Sequence, residues 1–214
     1  MQKIVLSGDI CVNCYIISHN KKCYIIDPGN EKSKIIEYVT QNDLEVLGIL
    51  LTHGHFDHTG AVDCFEKPVY VFEKEYNLLV NDKLNGYNNL SVENKIDFEK
   101  IDIRKFDLNH KFLLDDRKIS FIHTPGHTSG SVCFIFDKMI FTGDTLFKGA
   151  VGRWDFPTGN IAQLKKSLIR IIDNFDDDYE VHPGHNDSSY IGIEKEQNNY
   201  YKMWKVGDNN EKEN

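Results

Sequence analysis

The sequence predicts an α/β (α+β) protein in which two β-sheets pack together with helices on the outside. Short apolar runs typical of buried strands recur in both halves of the chain, separated by segments with the periodicity of amphipathic helices. The 214 residues are near the upper limit for one hydrophobic core, and no linker divides them. We therefore expect a single domain over residues 1–206 and a disordered tail over residues 207–214.

The first half of the chain begins with strands and then alternates strand and helix. Strands are predicted at residues 4–6, 14–17, 23–26, 46–52 and 69–72. Asp27-Pro28-Gly29 is a turn signal, and a helix with Ser33 as its N-cap is expected to follow as far as Gln41. The apolar face of this helix would consist of Ile35, Ile36 and Val39.

Residues 73–111 are the least regular part of the chain. A helix is expected over Glu73–Val80, and the polar, turn-rich stretch Asn81–Ser91 follows it. Two interpretations stay open for this stretch: a loop that contacts the substrate, and a solvated connector.

The second half repeats the plan of the first. Strands are predicted at residues 119–123, 132–136, 139–142 and 180–182. The apolar spacing predicts a helix over Ile161–Ile172 with its buried face at Ile161, Leu164, Leu168 and Ile171. A last helix is expected from Glu194 to about Trp204.

A cluster of metal-binding side chains directly follows the apolar run Val46–Thr52. The segment His53-Gly54-His55-Phe56-Asp57-His58 places three imidazoles and one carboxylate in six positions. Imidazole and carboxylate are ligands for zinc, iron and manganese, and ordinary core packing has little use for four such groups together. His53 and His55 can point the same way, whereas the neighbours Asp57 and His58 point apart, so the spacing suits two ions better than one.

Three later segments have the same order of apolar strand, glycine-containing turn and ligand. They are His123-Thr124-Pro125-Gly126-His127, Phe141-Thr142-Gly143-Asp144 and His182-Pro183-Gly184-His185. Groups at strand ends are expected to converge at one edge of a sheet, which holds the connecting loops in place. His123 and His182 lie inside the strands, so we expect them to support the site or pack in the core.

These motifs resemble those of the metallo-β-lactamase-fold hydrolases. The segment 53–58 matches their HxHxDH signature, and residues 124–128, 143–147 and 183–185 are similar to their later motifs, in the same order. Within that superfamily, Gly143–Phe147 and Val151-Gly152-Arg153 look most like the glyoxalase II (hydroxyacylglutathione hydrolase) branch, in particular its short single-domain bacterial members. The resemblance implies a four-layer αββα sandwich.

The resemblance also implies a ligand set and a mechanism. One ion would be held by His53, His55 and His127, and the second by Asp57, His58 and His185, with Asp144 bridging the two. Two divalent ions are implied, with zinc expected and iron or manganese as alternatives. A water activated by the metals would attack the carbonyl of an S-acyl thiol conjugate, and Asp57 would act both as ligand and as proton acceptor.

Arg153 is the candidate for substrate binding. In the glyoxalase II branch a basic residue near this position meets a carboxylate of glutathione, and a guanidinium binds carboxylate in a two-pronged way. The alternative is a surface arginine paired with Asp155. Full-length glyoxalase II enzymes carry a helical C-terminal domain, whereas here 29 residues follow His185, so the sequence leaves open which thiol is recognised.

Composition favours a small-molecule substrate and a cytoplasmic protein. The formal net charge of −8 argues against a nucleic-acid partner. No signal peptide or membrane association is expected, because the first apolar run, Ile4–Leu6, is short and no segment reaches the length of a membrane span. Five cysteines suit reduced thiols. Cys11 and Cys14 are expected to be two small residues of a β-rich N-terminus, with Cys14 leading into a strand, rather than a redox or metal pair.

Three other activities stay open from the sequence: a mononuclear iron persulfide dioxygenase, a lactonase and a β-lactamase of the same fold. The iron enzyme would use two histidines and a carboxylate on one ion. The sequence does not decide the metal, the acyl group, the thiol or the oligomeric state.

Overall fold

The computed structural model describes residues 1–6, 11–89 and 95–212. It consists of two compact units, Met1–Ser120 (unit 1) and Phe121–Asn214 (unit 2). Each unit contains β-strands and helices, so both halves of the chain have the mixed composition that the sequence predicts.

Unit 1 is built on a six-stranded mixed sheet whose strands lie in chain order. The strands are β1 (Gln2–Leu6), β2 (Val12–His19), β3 (Lys22–Ile26), β4 (Glu45–Leu50), β5 (Val69–Phe72) and β6 (Ile103–Phe106). The first two pairings are antiparallel and the last three are parallel. Because parallel strands end at the same edge of a sheet, the segments that follow β3, β4 and β5 meet at one edge.

Helix α1 (Lys32–Gln41) packs against this sheet. It buries Ile35 and Val39, which lie one turn apart, whereas Ile36 is 40% exposed. The expected N-cap Ser33 is wrong: Glu31 is the N-cap, and Ser33 lies inside the first turn. Three further helices are single turns: α2 (Phe56–Thr59), α3 (Tyr76–Leu79) and α4 (Asp82–Asn85).

Residues 73–111 contain short turns of helix followed by strand. Besides α3 and α4 there are 3₁₀ turns at Glu73–Glu75, Tyr87–Asn89 and Phe98–Lys100. The single helix expected over Glu73–Val80 is therefore a 3₁₀ turn and one α turn. Part of the polar stretch Asn81–Ser91 lies outside the described residues, as do residues 92–94.

Strand β7 (Phe112–Leu114) pairs with the first residues of β8 (Arg117–His123), which continues into unit 2. In unit 2 the strands lie in the order β12-β11-β10-β9-β8. Their bounds are Val132–Phe136 for β9, Met139–Gly143 for β10, Glu180–Pro183 for β11 and Ser189–Tyr190 for β12. Strands β10 and β11 are parallel, so the segments after Gly143 and after Pro183 leave the sheet at the same edge.

Helix α5 (Ile161–Asn174) confirms the amphipathic helix that the sequence predicts, with two differences. Asn160 caps its first turn by accepting from the backbone N–H of Gln163 at 3.0 Å. The helix buries Leu164, Leu168 and Ile171 as expected, but Ile161 in the first turn is 40% exposed, and the helix ends two residues later than predicted.

The last helix is two helices, α6 (Ile191–Gln197) and α7 (Asn199–Lys212), so the prediction of one helix over Glu194–Trp204 is wrong. The break is at Asn198, whose backbone is extended with φ −73° and ψ 110°. Its Oδ1 accepts from the backbone N–H groups of Tyr200 and Tyr201 and so begins α7.

Helix α7 extends to Lys212 and so enters the segment 207–214 for which the sequence predicts a disordered tail; residues 213 and 214 lie outside the described residues. The single domain over residues 1–206 stays a prediction. Among the described residues, every helix is too short or too polar to cross a lipid bilayer.

Candidate metal centre

The turn after β4 brings all four of its predicted ligands together in unit 1. The imidazole rings of His53 and His55 have centroids 4.8 Å apart, and those of His53 and His58 are 4.1 Å apart. Asp57 Oδ2 lies 3.7 Å from His58 Nε2. All four residues are buried, so these donors are largely removed from bulk water.

One buried carboxylate, Asp27, orients two of these histidines. It accepts the backbone N–H of Thr52 at 2.8 Å, the Thr52 hydroxyl at 2.6 Å and His58 Nδ1 at 3.0 Å. Because the Thr52 hydroxyl gives its hydrogen to Asp27, its oxygen is the acceptor for His53 Nδ1 at 3.1 Å. Both Nδ1 atoms therefore carry hydrogen, and the Nε2 atoms of His53 and His58 present lone pairs, as metal ligation requires.

Asp27 is a supporting residue that the sequence motifs do not reveal, since the sequence predicts it only as part of a turn. Asp27, His53 and His58 offer donor atoms within 4.8 Å of one another, so Asp27 is itself near enough to be a ligand. Its two oxygens are occupied by Thr52 and His58, which indicates that it orients ligands. The signal was present: Asp27 directly follows a buried strand and precedes a glycine-containing turn, as the predicted ligands do.

Gly54 allows a second segment of unit 1 to approach the ligand turn closely. A Cβ at this position would lie 2.9 Å from the Cα of Leu79, and φ of Gly54 lies outside the left-handed region. Close approach to α3 therefore explains this glycine. The backbone N–H of Gly54 donates to the buried carboxylate of Glu75 at 2.9 Å. Glu75 is a second supporting residue that the sequence motifs do not reveal.

The segment 85–87 also packs against the ligand turn and the single-turn helix α2 that follows it. A Cβ at Gly86, whose φ is +94°, would lie 2.8 Å from the ring of Phe56. The Tyr87 hydroxyl lies 3.4 Å from Thr59 Oγ1, and burial raises the pKa of Tyr87 to about 12. These described residues of the irregular segment thus support the ligand turn, which neither of the two interpretations from the sequence anticipated.

Unit 2 brings its three predicted ligands together, with the carboxylate of Asp144 near the imidazoles of His127 and His185. Asp144 Oδ2 lies 3.6 Å from His127 Nε2 and 3.5 Å from His185 Nε2. These separations are longer than the donor–acceptor distances of N–H···O hydrogen bonds, which reach about 3.2 Å. Two atoms that each lie about 2.1 Å from one ion at a tetrahedral angle are about 3.4 Å apart, so the spacing fits ligands grouped around cations. One carboxylate oxygen between two imidazoles also suits a bridging position.

The tautomer of His127 follows from its contact with the main chain. His127 Nδ1 lies 2.6 Å from the backbone carbonyl oxygen of Arg153. A carbonyl oxygen can only accept, so Nδ1 carries the hydrogen and Nε2 presents its lone pair towards Asp144.

Helix α5 holds the turn that carries His127. Gly126 has φ +144°, and a Cβ there would lie 2.3 Å from the Cα of Leu164. The hydroxyl of Ser167 donates to the carbonyl of Pro125 at 2.7 Å. The close approach of α5 thus explains the glycine at position 126, and the Ser167 hydrogen bond fastens the preceding main chain to the same helix.

The Arg153 side chain is paired with Asp155. Its Nε donates to Oδ1 at 2.9 Å and its terminal nitrogen to Oδ2 at 2.7 Å, and the guanidinium lies 4.4 Å from the centre of the Phe156 ring. This pair raises the pKa of Arg153 and lowers that of Asp155. The structure thus contains the arginine–aspartate pair that was the alternative to substrate binding, and the binding role stays a prediction.

His123 and His182 make contacts outside the ligand cluster, in line with their expected supporting roles. His123 Nε2 lies 2.9 Å from the carbonyl of Ser129. His182 contacts Ser188 and Glu180 and stacks on Phe141 with ring centroids 5.3 Å apart.

In unit 1, burial and the charge of Asp27 raise the pKa of Cys14 well above its ordinary value, which disfavours the thiolate that redox or metal chemistry needs.

Imidazoles with fixed tautomers and carboxylates at ligand spacing make a donor set that fits divalent transition metals. A protein-family profile described as the metallo-β-lactamase superfamily matches residues 8–185. The chain belongs to the metallo-β-lactamase superfamily. Membership confirms the resemblance that the motifs carry, and it supports a metal-dependent hydrolase.

Known relatives of this superfamily member extend over nearly its whole length. Hydroxyacylglutathione hydrolase GloC of Haemophilus influenzae is 34% identical over 194 residues, which cover 87% of this chain and 91% of that protein. The crystal structure of the BLEG-1 B3 metallo-β-lactamase has a TM-score of 0.85 and 33% identity, covering 94% of this chain and 98% of that one. The crystal structure of TTHA1623 in a di-iron-bound form has a TM-score of 0.81 and 30% identity, covering 94% of this chain and 100% of that one. These likenesses confirm the predicted fold class, the αββα metallo-β-lactamase sandwich.

Proposed function

We propose that this superfamily member hydrolyses S-acyl thiol conjugates (thioesters) in the manner of glyoxalase II, with two divalent metal ions. The proposed ligands are His53, His55 and His127 for one ion, Asp57, His58 and His185 for the other, and Asp144 as the bridge. Zinc is the expected metal, with iron or manganese as alternatives. The proposed substrate is a small molecule in the cytoplasm, with neither nucleic acid nor membrane as partner.

The observation that carries the proposal is the orientation of the donors within each unit. In unit 1 Asp27 and Thr52 hold hydrogen on the Nδ1 atoms of His53 and His58. In unit 2 the carbonyl of Arg153 does the same for His127. Histidines held in this way keep their Nε2 lone pairs ready for a cation, which a polar turn without a metal would not need.

The metal ions, when bound, would supply Lewis acidity, which lowers the pKa of a bound water towards neutrality and polarises a carbonyl oxygen. The protein's own groups do the rest. We propose that Asp57 accepts the proton from the attacking water, since its carboxylate is buried beside His58. Asp27 lies behind the histidines and keeps their rings fixed during the reaction.

The thioester part of the proposal is supported by the relative GloC and by the segment Gly143–Phe147 with Val151-Gly152-Arg153. We propose that Arg153 binds a carboxylate of the substrate's thiol. Its side chain is 66% exposed, so a substrate carboxylate can exchange with that of Asp155 at little cost in desolvation.

Two observations keep other activities in view. The likeness to TTHA1623 in a di-iron-bound form supports iron as an alternative metal for the two sites, whereas a persulfide dioxygenase would hold a single iron. The likeness to the BLEG-1 B3 metallo-β-lactamase makes β-lactam or lactone hydrolysis a second candidate. Each of these activities has its own substrate and its own readout.

The test is a substrate panel on protein whose metal content is measured first. S-Lactoylglutathione, a second acyl-glutathione, a lactone and nitrocefin are assayed for hydrolysis, and glutathione persulfide for oxygen uptake. The proposal expects about two metal ions per chain and the highest kcat/KM on a thioester. One iron per chain with oxygen uptake, or a kcat/KM on nitrocefin or the lactone above that on every thioester, would overturn it.

A further inference from the structure

A loop in unit 2, residues 147–153, contacts the predicted ligands on either side of it. The ring of Phe147 lies edge-on to that of His185, with centroids 5.8 Å apart. Gly152 lies so close to Asp144 that an added Cβ would be 1.9 Å from the Asp144 carbonyl oxygen. The shape of this loop therefore affects two of the three ligands in the unit.

The same loop also reaches the third ligand. The carbonyl oxygen of Arg153, its last residue, accepts from His127 Nδ1 at 2.6 Å. Phe147 and Ala150 pair through two backbone hydrogen bonds of 3.0 and 3.1 Å, which close the first part of the loop into a tight turn. A shift of this turn would be felt at all three ligands.

A buried carboxylate of helix α6, that of Glu194, binds the turn formed by residues 147–150. Glu194 is fully buried, and its Oε2 accepts the backbone N–H of Gly149 at 2.9 Å. Its Oε1 accepts the hydroxyl of Ser189 at 2.6 Å. A carboxylate buried among neutral donors costs free energy unless its acceptor sites are filled, so Glu194 strongly favours the loop position that supplies the Gly149 N–H.

Asn198, at the break between α6 and α7, completes the contact. Its Nδ2 donates to Glu194 Oε2 at 2.9 Å and to the carbonyl oxygen of Ala150 at 3.2 Å. Its Oδ1 caps α7 through Tyr200 and Tyr201. Glu194 of α6 and Asn198, which follows it, thus bind one backbone N–H and one backbone C=O of the turn.

We propose that Glu194 is a positioning residue for the metal site: from α6 it fixes the 147–153 loop and, through the loop, the orientation of His127, Asp144 and His185. The inference rests on the metal site proposed above. Glu194 contacts Gly149, Ser189 and Asn198, so its effect on the ligands passes through the main chain of the loop.

The experiment compares three variants of the full chain. Glu194→Ala removes the acceptor for Gly149. Glu194→Gln keeps an acceptor for Gly149 and Asn198, because its amide nitrogen can face the Ser189 hydroxyl, which rotates to accept. Glu196→Gln, on the exposed side of the same helix, is the matched control for loss of a carboxylate.

The readouts are the affinity for Zn²⁺, the visible absorption spectrum of the Co²⁺-loaded protein and the temperature of unfolding. We expect Glu194→Ala to bind Zn²⁺ about tenfold more weakly, the lower limit for residues that orient ligands, and to show an altered Co²⁺ spectrum. Glu194→Gln and Glu196→Gln should stay within about threefold of the unaltered protein, so rescue by the isosteric amide identifies positioning by hydrogen bonds.

A folded Glu194→Ala protein whose Zn²⁺ affinity and Co²⁺ spectrum match the unaltered protein would overturn the inference, even if its unfolding temperature falls. Asn198→Asp gives a second route if Glu194→Ala does not fold. It keeps the cap acceptor of α7 but turns the donor to Ala150 into an acceptor beside Glu194, so the same loss of Zn²⁺ affinity is expected, and unchanged affinity would again contradict the inference. Absence of metal binding in the unaltered protein would instead refute the proposed function.

Discussion

The carboxylate of Asp27 accepts from Thr52 and from His58. Because the Thr52 hydroxyl in turn accepts from His53, one buried acid fixes two histidines of the ligand turn. Asp27 has φ +49°, a backbone conformation that asparagine and aspartate tolerate better than other side chains. The residue combines a strained backbone with a buried charge, and such a combination persists only where the surrounding contacts enforce it.

Asp27→Asn should weaken metal binding by about 10- to 100-fold, because an amide would present a donor to Thr52 or His58 and disturb the tautomers. Asparagine keeps the size and the backbone tolerance of aspartate, so the change is confined to hydrogen bonding. Asp43→Asn is the control, since Asp43 has a similar φ of +53° but lies exposed. Zn²⁺ titration of both variants checks this; equal affinities would show that Asp27 does not orient the ligands.

Gly126→Ala should be among the most damaging single changes in unit 2. The added methyl group would meet the main chain of α5 at 2.3 Å, and φ is already +144°. We expect a loss of more than about 3 kcal/mol in the free energy of unfolding, or no folded protein. Gly149→Ala is the comparison, because φ is +70° there but no atom lies within 4 Å of the added carbon. It should cost about 1–2 kcal/mol in urea unfolding. Similar losses for the two variants would mean that α5 yields to the methyl group.

Arg153→Met should raise KM for glutathione thioesters by tenfold or more, with little change for a thioester that lacks carboxylates. The main-chain carbonyl that binds His127 is retained, so kcat should change little. Arg104→Met is the matched control, because Arg104 is also exposed and also pairs with an aspartate two residues away, Asp102. Steady-state kinetics on both thioesters decide the matter. If KM is the same as in the unaltered protein, Arg153 is a surface arginine whose side chain serves only its pair with Asp155.

Tyr87 should make the stability of the protein depend on pH in the alkaline range. Burial raises its pKa to about 12, above the ordinary value near 10, so the folded state holds the phenolic proton more tightly than the unfolded chain does. Its contribution to stability is full below about pH 10 and is lost as the pH rises through about 12. Tyr87→Phe should therefore lose less stability between pH 9.5 and 11.5 in urea unfolding. Cysteine thiols titrate equally in both proteins and so cancel in the comparison. Parallel curves of unfolding free energy against pH for the two proteins would refute this role of Tyr87.

The sequence predicts well what depends on strand ends and local periodicity. The ligand turn follows β4, and His127, Asp144 and His185 follow or end strands of unit 2 as expected, because an apolar run followed by a glycine turn is a local signal. The periodicity of Leu164, Leu168 and Ile171 likewise identifies the buried face of α5.

The supporting contacts could not be predicted, because they join segments far apart in the chain. Glu75 and Glu194 look like ordinary helix-surface residues in the sequence, yet each accepts a glycine N–H of a site loop and is buried. The break at Asn198 depends on its side chain capping α7 and binding Ala150, which no periodicity reveals. Tertiary contacts overrode local propensity at these positions.

A calorimetric titration of metal-free protein with Zn²⁺, checked by elemental analysis, tests whether the seven donors hold two metal ions. We expect about two equivalents of Zn²⁺ in the unaltered protein and loss of tight binding in His58→Ala and His127→Ala. Binding of one ion or of none, or of two ions that neither substitution weakens, would contradict the two-metal site.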